Sequence, residues 1–260
     1  MSPSEDIRTV VREKYGEIAE GVRSGCCGDG CGCGSRETDV LEAIGYSDEQ
    51  KAAIPAGADL GLGCGNPLAY AAARAGETVL DLGSGAGIDC FLAAREVGAS
   101  GRVIGVDMTP AMIEKARANA AKGPYANVEF RLGEIEHLPV ADATVDLVIS
   151  NCVVNLSPHK DQVFREAFRA LKRGGRMVVS DLVLTRPLPD ELQKRVDLLV
   201  GCVAGASLRE DYLRMMREAG FAEVEVAAES SYDVGLLPES SPEREAFGAV
   251  RSVKVRARKP

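Results

Sequence analysis

Sulfur is the unusual resource in this 260-residue chain, which carries eight cysteines and only two histidines. Thiolates are nucleophiles and ligands for soft ions. Two histidines leave little for an imidazole metal centre or a Ser-His-acid triad. Cys26, Cys27, Cys31 and Cys33 crowd one glycine-rich stretch, and their spacing is not the C-x-x-C of a zinc ribbon. Cys64 stands in Gly61-Leu-Gly-Cys-Gly-Asn-Pro67, Cys152 in Ser150-Asn-Cys-Val-Val-Asn155 and Cys202 in Val200-Gly-Cys-Val-Ala-Gly205. Free cysteine is among the most buried residue types, so packing is the plain alternative for each. Cys90 shares a helical face with Ala94 and Val97, which points to packing. His137 and His159 are expected at the surface and receive no role.

A second set of residues suits a nucleotide. Val79-Leu-Asp-Leu-Gly-Ser-Gly-Ala-Gly87 reads as a strand entering a glycine-rich turn and then a helix. Gly83, Ser84, Gly85 and Gly87 would let a ligand approach the backbone closely. Dinucleotide sites use Gly-x-Gly-x-x-Gly, whereas Ile88 stands here in place of a small residue. Asp81, at the strand end, opposes a pyrophosphate but favours an ammonium. S-adenosylmethionine offers an ammonium and a sulfonium and no phosphate, and the loop favours it. Asp107 ends the next strand with Met108 beside it, where a carboxylate accepts both hydroxyls of a ribose. A turn that merely packs helix on strand is the alternative.

These residues need a scaffold, and the pattern from Glu77 onward supplies one. Strands are expected at Thr78–Asp81, Val103–Val106, Val128–Leu132, Val145–Ile149 and Met177–Ser180, with helices near 88–97, 110–121 and 158–171. For the last helix Ser157 reads as the N-cap, with Pro158 in the first turn. This rhythm predicts an α/β fold, a doubly wound, Rossmann-like parallel sheet with ligands beyond the carboxyl ends of the strands. Ahead of it lie an amphipathic helix over 4–20, a capping box at Ser47 and Gln50, and an alanine-rich helix to about Arg74. Residues 181–220 read as inserted helices, followed by strands at Val224–Val226 and Val250–Val255. The division expected is 1–76, a helical and Cys/Gly-rich extension; 77–180, the cofactor-binding domain; and 181–260, substrate-binding helices and closing strands.

The stretch 77–180 resembles class I S-adenosylmethionine-dependent methyltransferases. In that family the residues after the third strand frame the adenine, which implies ring packing by Ile135 and an adenine contact by Glu136, in Gly133-Glu-Ile-Glu136. The resemblance also implies that Asn151, which follows the fourth strand, lies beside the transferable methyl. The strings Gly63-Cys-Gly-Asn-Pro67, Asp81-Leu-Gly-Ser-Gly-Ala-Gly-Ile-Asp-Cys90, Val106-Asp-Met-Thr109, Ser150-Asn-Cys-Val-Val-Asn-Leu156 and Gly201-Cys-Val-Ala-Gly-Ala206 narrow the likeness to arsenite methyltransferases. The resemblance implies Cys152 and Cys202 as ligands of trivalent arsenic, and Cys64 as third thiolate or redox partner. It further implies arsenic detoxification, a thiol-conjugated arsenic substrate, and a thiol reductant, glutathione or thioredoxin. An N-terminal cysteine of the family pairs with the one at the Cys64 position; here Cys26, Cys27, Cys31 and Cys33 all qualify. The cluster reads equally as a thiol tail that delivers arsenic or as a glycine-rich linker.

The chemistry agrees with that likeness. Trivalent arsenic prefers sulfur to oxygen or imidazole. Three sulfurs form a pyramid and leave the arsenic lone pair free to attack a sulfonium methyl, with no general base required. The glycines around Cys64 suit a mobile thiol better than a fixed ligand. The alternatives are a methyltransferase for a small organic acceptor and a thiol-based metalloid-binding protein. Intact Asp81, Gly83, Gly85 and Asp107 argue against the latter.

Charge narrows the partners. Lys+Arg 31 against Asp+Glu 39 gives a net charge of −8, with pI ≈ 5.0, which disfavours sequence-independent nucleic-acid binding. The uncharged run Leu60–Ala73 is short and broken by Pro67, so no membrane span is expected. The acidic start Met1-Ser-Pro-Ser-Glu-Asp shows no secretory signal, and a cytoplasmic location follows as the expectation. Replacing Asp107 removes the ribose acceptor. Asp107→Ala should weaken cofactor affinity about tenfold, ~1.4 kcal/mol, and calorimetric titration checks it.

Overall fold

Alternation along the strands decides which residues face which core layer. The computed structural model describes residues 3–22, 40–193, 195, 198, 202–231 and 247–260. The cluster from Cys26 to Cys33 lies outside them. In β1 (Thr78–Leu82), Leu80 and Leu82 enter one apolar layer and Val79 the other. The first layer is closed by α7 (Lys160–Ala170) and α9 (Arg209–Glu218), through Val163, Phe164, Tyr212 and Met216. The second is closed by α4 (Leu68–Ala71), α5 (Ile88–Val97) and α6 (Pro110–Ala120), through Leu68, Phe91, Ile113 and Ala116.

The remaining strands are β2 (Arg102–Asp107), β3 (Val128–Leu132), β4 (Val145–Asn151), β5 (Leu171–Leu184), β6 (Ser207–Leu208), β7 (Ala222–Ser231) and β8 (Val250–Arg258). They form one sheet in the order β3-β2-β1-β4-β5-β8-β7, with β6 beside β5. Strands β1 to β5 pair in parallel; β8 runs antiparallel to β5, and β7 to β8. The strand order reverses between β1 and β4, which opens a crevice at their carboxyl ends. Helix α1 (Pro3–Ala19) lies over that edge, its Val11 packed with Cys152, Cys202, Leu182 and Leu184. Short helices α2 (Val40–Ala43), α3 (Asp48–Ala52) and α8 (Asp190–Gln193) complete the described chain. None of the described helices is long and apolar enough to cross a membrane.

Four local expectations change. The alanine-rich helix stops at Ala71, because Arg176 draws off the Ala71 and Ala72 carbonyls (2.7 Å each) and Ala72 turns left-handed at φ 46°. Helix α7 starts at Lys160, not at 158. Ser157 instead ends a 3₁₀ turn over Val154–Leu156, and its Oγ accepts the His159 N–H (3.0 Å). Residues 181–184 continue β5 rather than opening the inserted helices, since Asp181 to Leu184 pair with Val253 to Val250. Both closing strands are longer than read, each extended by pairing with its neighbour. The capping box at Ser47 and Gln50 forms as read.

Phe164 is fully buried and meets Tyr212 edge-on at 5.2 Å between ring centroids. Phe164→Ala should cost about 3–5 kcal/mol. Urea denaturation checks it, with a lower midpoint at an unchanged slope.

Candidate active site

After β1 the chain crosses the sheet edge through Gly83 (φ 68°), Gly85 (φ 51°) and Gly87 (φ 100°). A Cβ on Gly83 would stand 2.4 Å from Val153, and one on Gly87 2.8 Å from Phe91 and Phe130. The Gly83 and Ser84 N–H groups donate to the Val106 carbonyl (2.8 and 3.0 Å). The Asp107 carboxylate accepts from Gly85 N (3.0 Å) and Thr109 N (2.8 Å), so it braces the glycine turn while facing the crevice. Burial raises its pKa against these N–H bonds. Ser84 Oγ is buried and has no partner among the described residues.

Beneath the turn lie two acids. Asp81 is 2% and Asp89 3% exposed, and no cation among the described residues stands behind either shift. Burial, then the Asp89 charge, holds the Asp81 carboxyl far above the usual carboxylate range. Burial raises Asp89 to about 6, opposed by hydrogen bonds from Tyr46 Oη (2.7 Å) and Asn151 Nδ2 (3.2 Å). Cys90 packs in the core as expected, yet its thiol also donates to Asp81 Oδ2 (3.3 Å).

Asn151 joins this acidic end to the thiols. Its Nδ2 reaches Tyr46 Oη (3.0 Å) and the Gly65 carbonyl (2.6 Å), and its Oδ1 accepts the Cys64 N–H (3.1 Å). Ser252 Oγ donates to the Cys64 carbonyl (3.0 Å). A Cβ on Gly65 would fall 2.1 Å from Ser180 Oγ. The glycines around Cys64 therefore serve turn geometry and close approach, and the backbone of Cys64 is pinned on both sides rather than free.

Three thiols converge at the far end. Cys152 and Cys202 adopt left-handed backbone conformations (φ 60° and 62°), which cost a non-glycine residue about 1–3 kcal/mol each and persist where surroundings hold them. Cys202 Sγ donates to the Cys152 carbonyl at 2.8 Å. The Cys152 thiol is pushed up by its hydrogen-bonding neighbours Cys202 and Cys64 and by burial. A hydrogen bond with Cys152 favours the Cys202 thiolate, but burial and the Asp181 charge raise it overall. Cys64 Sγ, Cys152 Sγ and a carboxylate oxygen of Asp181 all lie within 4.8 Å of one another. Burial lifts Asp181 to about 7, against hydrogen bonds from Leu182 N–H and Tyr212 Oη.

One cavity joins these groups. It is lined by Asp81, Gly83, Ser84, Gly85, Asp107, Met108, Ile135, Glu136, Asn151, Cys64, Cys152 and Cys202. Gly87 is not in its wall; it is spent on the turn into α5. Glu136 faces α1, accepting from Ser157 Oγ (2.6 Å) with Arg8 Nε at 3.4 Å. His137 and His159 are exposed and outside the cavity. Sequence reasoning passed over Asp89, Asp181 and Tyr46. Asp181 directly follows the expected fifth strand, as Asp81 and Asp107 stand at the ends of theirs, and that position was the available signal. Asp89 lies two residues past Gly87, and Tyr46 carries no local signal.

The cofactor fits these residues: the uncompensated acids suit an ammonium, Asp107 a ribose, and the open backbone at Gly85 a close approach. The doubly wound sheet and this loop define a class I S-adenosylmethionine-dependent methyltransferase. A methyltransferase-domain family model matches residues 73–220. An arsenite methyltransferase of Halobacterium salinarum is 52% identical over 98% of this chain and 67% of its own length. The chain belongs to the arsenite methyltransferase family. A second arsenite methyltransferase, from Aquipseudomonas alcaligenes, is 46% identical over 62% of this chain, and the match spans 48% of that protein. Among solved structures, an arsenic(III) S-adenosylmethionine methyltransferase from Chlamydomonas reinhardtii superposes with a TM-score of 0.68 at 36% identity, covering 85% of this chain and 73% of that one.

The Asp89 shift sets a pH dependence. A carboxyl raised in the folded protein favours the apo fold below its unfolded pKa, and that contribution is lost as pH rises through about 6. An ammonium ligand prefers the ionised form, so S-adenosylmethionine affinity should rise between pH 5 and 7. Asp89→Asn should flatten that rise and weaken binding at pH 7.5 about tenfold. Calorimetry at stepped pH checks both.

Proposed function

We propose that this chain transfers methyl groups from S-adenosylmethionine to thiol-bound trivalent arsenic, as arsenite and methylarsenite, in arsenic detoxification. The observation that carries the reading is the convergence of Cys64, Cys152 and Cys202 on one cavity with Asp81, Asp89 and Asp107. As(OH)3 condenses with three thiols by passing their protons to its hydroxyl groups, releasing three waters. Raised thiols such as Cys152 and Cys202 suit that exchange, because each keeps its proton until arsenic arrives. Bound S-adenosylmethionine supplies an electrophilic methyl on a sulfonium.

The protein's part is positioning. Asp81 and Asp89 receive the ammonium, Asp107 the ribose hydroxyls, and Ile135 and Glu136 the adenine. Ser84 and Met108 line the same wall. Asn151 holds the Cys64 backbone in register with those acids. Residues 77–180 hold the cofactor, while one thiolate comes from each of the segments 1–76, 77–180 and 181–260. Transfer leaves arsenic pentavalent. Two of the site's thiolates return two electrons by closing a disulfide, which an external thiol, glutathione or thioredoxin, reopens. A thiol conjugate as arriving substrate and a cytoplasmic setting both suit that dependence on reduced thiols.

Cys152→Ser and Cys202→Ser should each lose arsenite binding and methylation, since a serine oxygen does not replace a thiolate on a soft ion. Cys64→Ser should lose methylation of arsenite but keep part of that of methylarsenite, which needs two thiolates. Product analysis of both substrates under reducing conditions checks this. Normal turnover of arsenite by all three variants would overturn the thiolate assignment, and no turnover of arsenite by the parent chain would instead favour an organic acceptor.

A further inference from the structure

Arsenic uses three sulfurs and leaves its fourth corner to a lone pair, yet a buried carboxylate, that of Asp181, also lies beside two of the thiols, Cys64 and Cys152. Asp181 is fully buried, and among the described residues it forms no ion pair with a lysine or arginine within salt-bridge distance. A buried carboxylate without a paired cation is costly. This one is nonetheless held firmly: Oδ1 accepts Asn155 Nδ2 (2.8 Å) and Leu182 N (2.9 Å), and Oδ2 accepts Tyr212 Oη (3.1 Å). Such supporting bonds orient a ligand carboxylate at metal centres. Oδ2 retains an unused lone pair.

We propose that Cys64, Cys152 and Asp181 form a binding site for a thiophilic d10 dication of the Zn2+ and Cd2+ class, sharing two cysteines with the arsenic site. The three donor atoms lie within 4.8 Å of one another. Zinc–sulfur and zinc–oxygen bond lengths in a tetrahedron place donors about 3.6–3.8 Å apart, so rotamer adjustments of about 1 Å close the set. The fourth corner is open to water or to Cys202, whose thiol already neighbours Cys152. Two thiolates and a carboxylate leave the loaded site at −1, and the nearby Lys160, whose charge acts on Asp181 and Cys202, offsets it. Asp181 is surplus to arsenic and essential to the dication, so the two ions compete for sulfur but differ in their need for this residue. The inference stands on the donor geometry and goes beyond the methylation reading.

The test is a Cd2+ titration of the full chain with Cys26, Cys27, Cys31 and Cys33 replaced by Ser, fully reduced, followed by thiolate-to-cadmium charge-transfer absorption. Arsenite affinity is measured in parallel. Asp181→Asn, which is isosteric, should weaken Cd2+ at least about tenfold and leave arsenite affinity within about twofold. Cys64→Ser should weaken Cd2+ as well. Unchanged Cd2+ affinity in Asp181→Asn overturns the proposal. If that variant fails to fold by circular dichroism, cadmium-113 NMR of the parent chain decides: a mixed sulfur and oxygen shell supports the site, and a sulfur-only shell overturns it. Cadmium binding as described without arsenite binding by the parent chain would refute the methylation reading and leave this one standing.

Discussion

The structure turns on the residue pair where β4 ends. Asn151 and Cys152 are adjacent, and the left-handed φ of 60° at Cys152 turns the chain sharply off the sheet edge. Asn151 is thereby joined to Asp89, Tyr46 and Gly65, while Cys152 sits with Cys64 and Cys202. One backbone turn places the buried acids Asp81 and Asp89 and the three thiols in the wall of a single cavity. Glycine would adopt this conformation without strain but would remove the Cys152 thiol from beside Cys64 and Cys202.

The second constraint is electrostatic. Asp81, Asp89 and Asp181 are all buried, and burial raises each of them. In an apolar interior such groups destabilise the apo fold, and their retention makes sense when cationic ligands bind beside them. Helix α1 closes this region from outside: Arg8 reaches Glu134 (3.3 Å) and Glu136 (3.4 Å), and Val11 packs on Cys152 and Cys202. Arg8, Val11 and Tyr15 of a helix far away in sequence from the sheet thus form part of the cavity wall.

Much of this was legible in the sequence, for identifiable reasons. Period-two apolar runs and glycine turns are local, so β1 to β5, the Gly83–Gly87 turn and the roles of Asp81 and Asp107 as strand-end acids could be read directly. The two strings around Cys152 and Cys202 carried the family likeness. What escaped depends on long-range contacts. The early stop of α4 is imposed by Arg176, more than a hundred residues away. The extension of β5 through Asp181 comes from pairing with β8. The anchoring of Cys64 rests on Asn151 and Ser252. Its flanking glycines suggested freedom when read alone, whereas Gly65 lets the loop press against Ser180.

The central claim is that Cys64, Cys152 and Cys202 together take one trivalent arsenic. Arsenic-edge X-ray absorption on the arsenite-loaded chain, with Cys26, Cys27, Cys31 and Cys33 replaced by Ser, tests it most directly. Three sulfur neighbours and no oxygen neighbour at stoichiometric loading is the predicted result. A shell containing oxygen, or fewer than three sulfurs, would contradict it.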